Sequence, residues 1–355
     1  MTTPCALTDE TLIALSLDAA DDVLASLRLG VAKALDLGTV EGFDQAIVHL
    51  AGLLRGKAAL SDQAAVKAAL EVLDVEWKTT TAKQRKGLIA RALEAAGRRT
   101  RTVPATLQPV FDKAATEVVR GGRDGVRRGQ RLTIAMEFNA IDKRILRHLR
   151  TSHLFSVRDE YGRRHEAFGK TARQLVAEGL EQGLGRDDIA TTLASAAEGV
   201  LGAKGSAYWE VLAGSFVAQG RSFAQLSAYA EARIERYRIE AILDERTTEV
   251  CRFLDGKTFA VSSGLHHFER LEADPEHLTD LAPWVRERLV DGRKELFVEH
   301  HNERLAVAEV LRSGFGTRED RGEFGKTLSE RELVDLGISF PPFHGLCRSS
   351  TVAEV

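Results

Sequence analysis

"YRIEAILDERTTEVCRFLDGKTF", Tyr237 to Phe259, is where the chain changes its period. Before it, apolar residues mostly recur at three- and four-residue spacing, the mark of helices. At Tyr237–Leu243 they alternate, and isoleucine is prominent, which predicts a strand. "KTFAV" (Lys257–Val261) and "RSSTVAEV" (Arg348–Val355) are two further strand candidates. Three short strands around a helical insert at about 265–335 predict a small α+β region over 237–355. The fold class that follows is mainly α: a helical N-terminal region and a small α+β C-terminal domain with a short antiparallel sheet.

Upstream, residues 1–150 form a helical region, and 151–236 a hairpin followed by helices. "SDQAAVKAALEVLDVEWK" has Ser61 as a natural N-cap and Ala65, Ala69, Val72 and Leu73 near one face. Further helices are expected at about 83–96, 105–119 and 129–149. "LFSVRDEYGRRHEAF", Leu154–Phe168, suggests a β-hairpin turning at Tyr161-Gly162. Helical spacing returns at about 170–182 and again from Tyr208, with Gly220 as a break or kink. Aromatic residues are only 6% of the chain, which favours helices over a large sheet.

The 355 residues suffice for a sizeable core, and no apolar run reaches the ~18 residues of a membrane span. The start, "MTTPCALTDE", lacks the features of a secretory signal, and three cysteines are too few for a disulfide framework. A cytoplasmic, reducing setting is the expectation. The net charge of -3 conceals an asymmetry: residues 1–82 hold 6 bases and 12 acids, whereas 83–131 hold 13 bases and 4 acids. Within the basic stretch, "RGGRDGVRRGQR" carries Arg120, Arg123, Arg127, Arg128 and Arg131 among four glycines. It reads as a mobile loop or as the frayed, glycine-rich entry of a helix. Its charges either contact an anionic partner, such as DNA or an acidic protein surface, or pair with acidic neighbours in the same chain.

The chemistry-bearing residues gather in two places. Cys251 follows the first strand, and "PPFHGLCRSS", Pro341–Ser350, carries His344 and Cys347. Thiolate and imidazole are zinc ligands, and two intervening residues let His344 and Cys347 converge on one ion. If the strand at 348–355 pairs with that at 237–243, Cys251 joins them at one sheet end. The fourth ligand is open: Asp244, one of His266, His267, His300 and His301, or water. Core packing of the cysteines and a hydrogen-bonded histidine are the plain alternatives. A nucleophilic Cys/His pair lacks a visible third group to orient the base. "LHHFER" and "VEHHNER" read as helix faces, with one histidine of each pair towards solvent. No P-loop, HExxH or GxSxG pattern occurs.

These two stretches resemble the phage Mu F-like head morphogenesis family. The matching residues are Asp244, Arg246, Thr247, Cys251, Leu254, Asp255, Gly256, Lys257 and Phe259, then Pro341, Pro342, His344, Cys347 and Arg348. "GLGRDDIATTLAS" and "QLSAYAEARIERYRIEAIL" resemble the helices preceding that signature. The resemblance covers about 170–355, roughly half the chain. The chain departs from many members at Ser349 and Thr248, where they carry further cysteines, so two possible thiolates are absent. The resemblance implies a minor head (capsid) protein of a tailed phage or prophage, made in the host cytoplasm and then held in the virion head interior. It implies the portal and other head proteins as partners, a role in assembly and in DNA packaging or ejection, and no enzymatic activity. Competing readings are a metal-dependent hydrolase or toxin-like effector, and a prophage-derived scaffold or cargo protein.

Overall fold

A computed structural model describes residues 37–202, 205–301, 303–315 and 320–355. Cys5 and residues 1–36 of the acidic N-terminal stretch lie outside these residues. The helical part comprises α1 (Val40–Leu73), a 3-10 turn (Trp77–Thr79), α2 (Ala82–Thr100), α3 (Val103–Gly129), α4 (Ala140–Glu181), α5 (Arg186–Val200) and α6 (Ser206–Glu231). The C-terminal part runs β1 (Arg236–Glu240), α7 (Glu249–Leu254), β2 (Thr258–Ala260), α8 (Val261–Ala273), α9 (Leu278–Leu281), β3 (Arg286–Val290), β4 (Arg293–His300), β5 (Glu303–Arg312), β6 (Glu323–Gly325), α10 (Glu330–Asp335) and β7 (Ser350–Glu354). The mainly helical class with an α+β end is as the sequence predicts.

α6 is the hub. From Val217 to Tyr229 it is buried on every side, as expected of a helix surrounded by partners. α1, α3 and α4 pack around it, and α8 and β7 close the far side. The crossings are tight because of glycine. A Cβ on Gly122 of α3 would sit 2.8 Å from Ala224 Cβ, and one on Gly220 would sit 2.6 Å from Val118 Cγ1. Gly220 therefore does not break α6, which runs through it; it lets α3 and α4 approach. The outer ends of α1 and α4 build a second core with α2 and α5, around Trp77, Ile89, Phe168 and Leu193.

Several local expectations are overturned. Leu154–Phe168 is not a hairpin but the middle of α4, where Val157, Tyr161, Arg164 and Phe168 are buried at helical spacing. Arg164 holds a core position because Asp62 receives its guanidinium at 3.2 Å, and Tyr161 donates to the same carboxylate oxygen at 2.8 Å. Ser61 lies inside the continuous α1, whose N-cap is Thr39, 3.1 Å from Gly42 N. The helix expected at 129–149 begins only at Ala140, capped by Asn139. The helical insert is largely a sheet: β3, β4, β5 and β6 pair antiparallel in that order. Its first hairpin turns at Asp291-Gly292, both at positive φ (49° and 77°), the dihedral demand of a tight primed turn.

The strands predicted at the C-terminal end are present as a sheet ordered β2-β1-β7, antiparallel throughout. Tyr237 pairs with Phe259 on one side and Ala353 on the other. Gln130 covers the outer edge of β7, accepting from Ala353 N at 2.8 Å and donating to Thr351 O at 3.0 Å. Among the described residues, no helix is long and apolar enough to cross a membrane.

Candidate metal centre

β1 ends in a knotted turn. The Asp255 carboxylate accepts from Ala241 N at 2.8 Å, and Asp244 N donates to Thr247 Oγ1 at 2.7 Å. Thr248 then caps α7, placing Cys251 one turn in. At the other end of the insert, Phe343 O accepts from Val285 N at 2.9 Å, and a tight turn joins Cys347 N to His344 O at 3.2 Å. β7 follows at once and pairs with β1, so the two loops meet at one sheet end. Gly256, at φ 81°, sits against Arg321 and lets the chain re-enter the sheet as β2.

The result is a compact group. Cys251 Sγ lies 3.1 Å from His344 Nε2 and 3.9 Å from Cys347 Sγ, and one ligand atom from each residue falls within 4.8 Å of the others. Tetrahedral zinc, with bonds of about 2.3 Å to sulfur and about 2.05 Å to nitrogen, separates sulfurs by about 3.8 Å and sulfur from nitrogen by about 3.6 Å. The geometry is therefore compatible with zinc within small side-chain adjustments. Cys251 is 5% exposed and Cys347 0%, while His344 is half-buried.

Electrostatics favour an anionic sulfur here. Burial alone would raise the Cys347 thiol, yet the hydrogen bond from Cys251 and the nearby His344 outweigh it and bring it down to about 5. Cys251 is pushed well above the usual thiol range, first by its hydrogen bond to Cys347 and then by burial. The pair thus holds one proton between two sulfurs. Behind it, buried Arg221 donates to Arg348 O at 2.9 Å and Ser349 O at 2.6 Å, with its guanidinium 4.0 Å over the Phe43 ring. Burial lowers Arg221 to about 10, still a cation, and that cation faces Cys347.

Asp244 lies outside this group. Its carboxylate takes the Arg348 guanidinium at 2.6 Å, and this hydrogen bond holds it below the usual carboxylate range. The four other candidate histidines are not in the group either. His267 is buried in α8 and His266 exposed on it, as the helix reading has it, but His300 and His301 sit at the end of β4, not on a helix. Two groups that no ligand pattern flagged border the centre. Thr248 Oγ1 is 3.2 Å from His344 Nε2. The buried Ser349 hydroxyl is close enough to favour both thiolates, yet meets no group at ordinary hydrogen-bond geometry. Arg221 did leave a signal: a lone arginine in "FVAQGRSFAQL", a stretch too apolar to leave it in water.

The arginine-rich stretch is dispersed rather than focused. Arg123 is buried at 3% exposure between Asp142 (2.9 Å) and Glu231 (2.8 Å), so it is removed from any anionic contact surface. Arg127 and Arg128 share Asp124 at 2.9 and 3.7 Å. Arg120 is exposed with its guanidinium 5.7 Å from the Phe138 ring, and Arg131 is exposed just past α3. The stretch is the C-terminal end of a packed helix, neither a loop nor a helix entry, and Gly122 serves helix packing. Compared with protein-family models, curated proteins and solved structures, the chain matches none.

Proposed function

We propose that this chain is a minor head protein of a tailed phage or prophage, placed in the head interior beside the portal. In this reading the Cys251–His344–Cys347 centre takes one zinc ion and clamps its C-terminal module. The observation that carries it is the meeting of two motifs, 93 positions apart, in one group of ligand atoms. Zinc there would neutralise two thiolates in a site too buried for exposed charge. Thr248 and Ser349, which border the group, offer hydroxyls to hold a water as the fourth ligand. The paired Asp244–Arg348, the capped α7 and the Asp255 turn all hold backbone, so most of the matched residues have a structural task.

A metal-dependent hydrolase is the second reading, favoured by having three protein ligands and an open fourth position. Against it, both sulfurs are buried, and neither of the two described cavities is lined by Cys251, His344 or Cys347. Two measurements test the proposal. Mass spectrometry of purified particles is expected to find the chain at fixed stoichiometry to the portal. Elemental analysis of the purified chain is expected to give about one zinc per chain. Absence from particles removes the head role; absence of metal leaves a thiol–imidazole packing knot.

A further inference from the structure

The charge asymmetry of the sequence resolves onto a different element from the one its arginine-glycine run suggested. α2 and the residue after it, Ala82–Arg101, carry seven bases and one acid, Glu94. The buried side of α2, Leu88, Ile89, Ala92, Ala95 and Ala96, faces the second core. Its outer side therefore presents Lys83, Lys86, Arg91, Arg98 and Arg101, all exposed, with Gly87 and Ala90 between them. Glu94 is occupied by Arg98 at 2.8 Å. Lys83, Lys86, Arg91 and Arg101 form no ion pair among the described residues.

At its C-terminal end this face runs into a cleft of about 550 Å³ between α2, the start of α3 and α4. Arg101 and Arg158 of α4 both line it, together with Glu94, Gln108 and His165. Arg158 is exposed and likewise forms no ion pair among the described residues. Two guanidiniums without ion pairs at the rim of one cleft, whose acid Glu94 is taken by Arg98, suit a phosphate, since a guanidinium fork binds phosphate oxygens bidentately. From Lys83 to Arg101 the helix extends about 27 Å, the length of about eight phosphates on one strand of a duplex. Tyr161 at the cleft is buried with its hydroxyl committed to Asp62, and no Phe or Trp lines the cleft, so the site lacks the exposed ring platform of a single-strand binder.

We infer that this face binds the phosphodiester backbone of duplex DNA through Lys83, Lys86, Arg91, Arg101 and Arg158, without reading base sequence. The surface lies outside the stretch that carries the head-protein resemblance and does not rest on that reading. A protein that binds DNA this way but is absent from particles keeps the inference and loses the head role. One present in particles without DNA affinity does the reverse.

The test is fluorescence anisotropy of the full chain with a labelled duplex of arbitrary sequence. Five phosphate contacts give a log–log salt slope of about -4.5, a weakening of about 500-fold between about 50 and about 200 mM salt. Arg101→Gln/Arg158→Gln is expected to reduce that to about 40-fold, because two contacts are gone. Lys83→Gln/Arg91→Gln should do the same from the other end, so the test survives if one pair misfolds. Arg127→Gln/Arg128→Gln, on the stretch paired to Asp124, should leave the salt dependence as in the parent. Competition with inorganic phosphate alone should not displace the duplex at the concentrations of phosphate groups at which unlabelled DNA does. No binding at low salt, an unchanged slope in both cleft and helix variants, an equal effect of the Arg127/Arg128 pair, or equal displacement by free phosphate would each overturn the inference.

Discussion

Replacing Arg123 with methionine separates a structural arginine from a surface one. Arg123 is a base in the most arginine-dense stretch of the chain, yet it is buried beneath α6. Its guanidinium holds Asp142, 0% exposed, at 2.9 Å and Glu231 at 2.8 Å, and donates to Ala135 O at 2.9 Å. Methionine fills much of the same volume but leaves Asp142 a buried carboxylate with no cation beside it, held only by the hydrogen bond from Asn139 N at 2.9 Å. Breaking a buried pair from one side costs about 3–5 kcal/mol, because the remaining charge stays desolvated. Glu231 loses less, since Ala135 N and Asn139 Nδ2 still donate to it. Adding Asp142→Asn removes the orphaned charge while keeping an oxygen for Asn139 N, and should recover about 1–2 kcal/mol or more. Urea unfolding followed by fluorescence is a suitable assay, with Trp209 in the same core as a reporter. A loss below about 1 kcal/mol in Arg123→Met, or a double variant no more stable than the single, would refute the reasoning. The DNA salt slope should be untouched by either.

Other perturbations follow from the same contacts. Gly220→Ala should destabilise by about 1–3 kcal/mol in the same assay, since its Cβ would press on Val118 and Leu149, whereas Gly87→Ala, with open space around it, should be neutral or slightly stabilising. Burial lowers His148, His153 and His267 to about 4, so each is neutral when folded. The unfolded chain gains their protons first as pH falls, so their stability contribution is complete above about pH 6.5 and is lost progressively down to about pH 4. The loss is on the order of 3 kcal/mol per histidine, and melting temperatures measured across that window should drop steadily; a flat profile would contradict it. Cys251→Ser should abolish zinc binding, and a strong chelator should lower the melting temperature of the parent but not of this variant.

The fold class was legible because one transition carried it. Tyr237 and Ile239 face the core while Arg238 and Glu240 do not, a period of two that helices cannot mimic. The centre was legible because cysteine and histidine types are few and their loops are anchored by readable strands. What the sequence hid has a common cause: charged residues in core positions. Arg164 stands where a helix stripe wants an apolar residue, so Leu154–Phe168 lost its period of 3.6 and Tyr161-Gly162 suggested a turn. Arg123 is exposed by every compositional rule, and its burial is explained by Asp142 and Glu231, acids on two other helices. The insert failed differently. "RKELFVEHHNERLAVAEVLR" is rich in helix formers, and strand pairing overrides their propensity. Its usable signal was Asp291-Gly292, a short-range hairpin mark.

The pairing of Glu240 with Ser350 has a kinetic consequence. β1 and β7 are neighbours in space but are separated by the entire insert, so their registry is a non-local contact formed against loop-closure entropy. The β3–β4 hairpin needs only its own two-residue turn and belongs to the microsecond events. Once the insert has collapsed on itself, the loop still to be closed is shorter and its ends nearer. The order of events that follows is helices and insert hairpins first, then the β1–β7 zipper, with Cys251, His344 and Cys347 brought together only in that last step. Formation of the Cys251–His344–Cys347 group thereby times the closure of β1 on β7, and slowing the insert should delay the group without altering it.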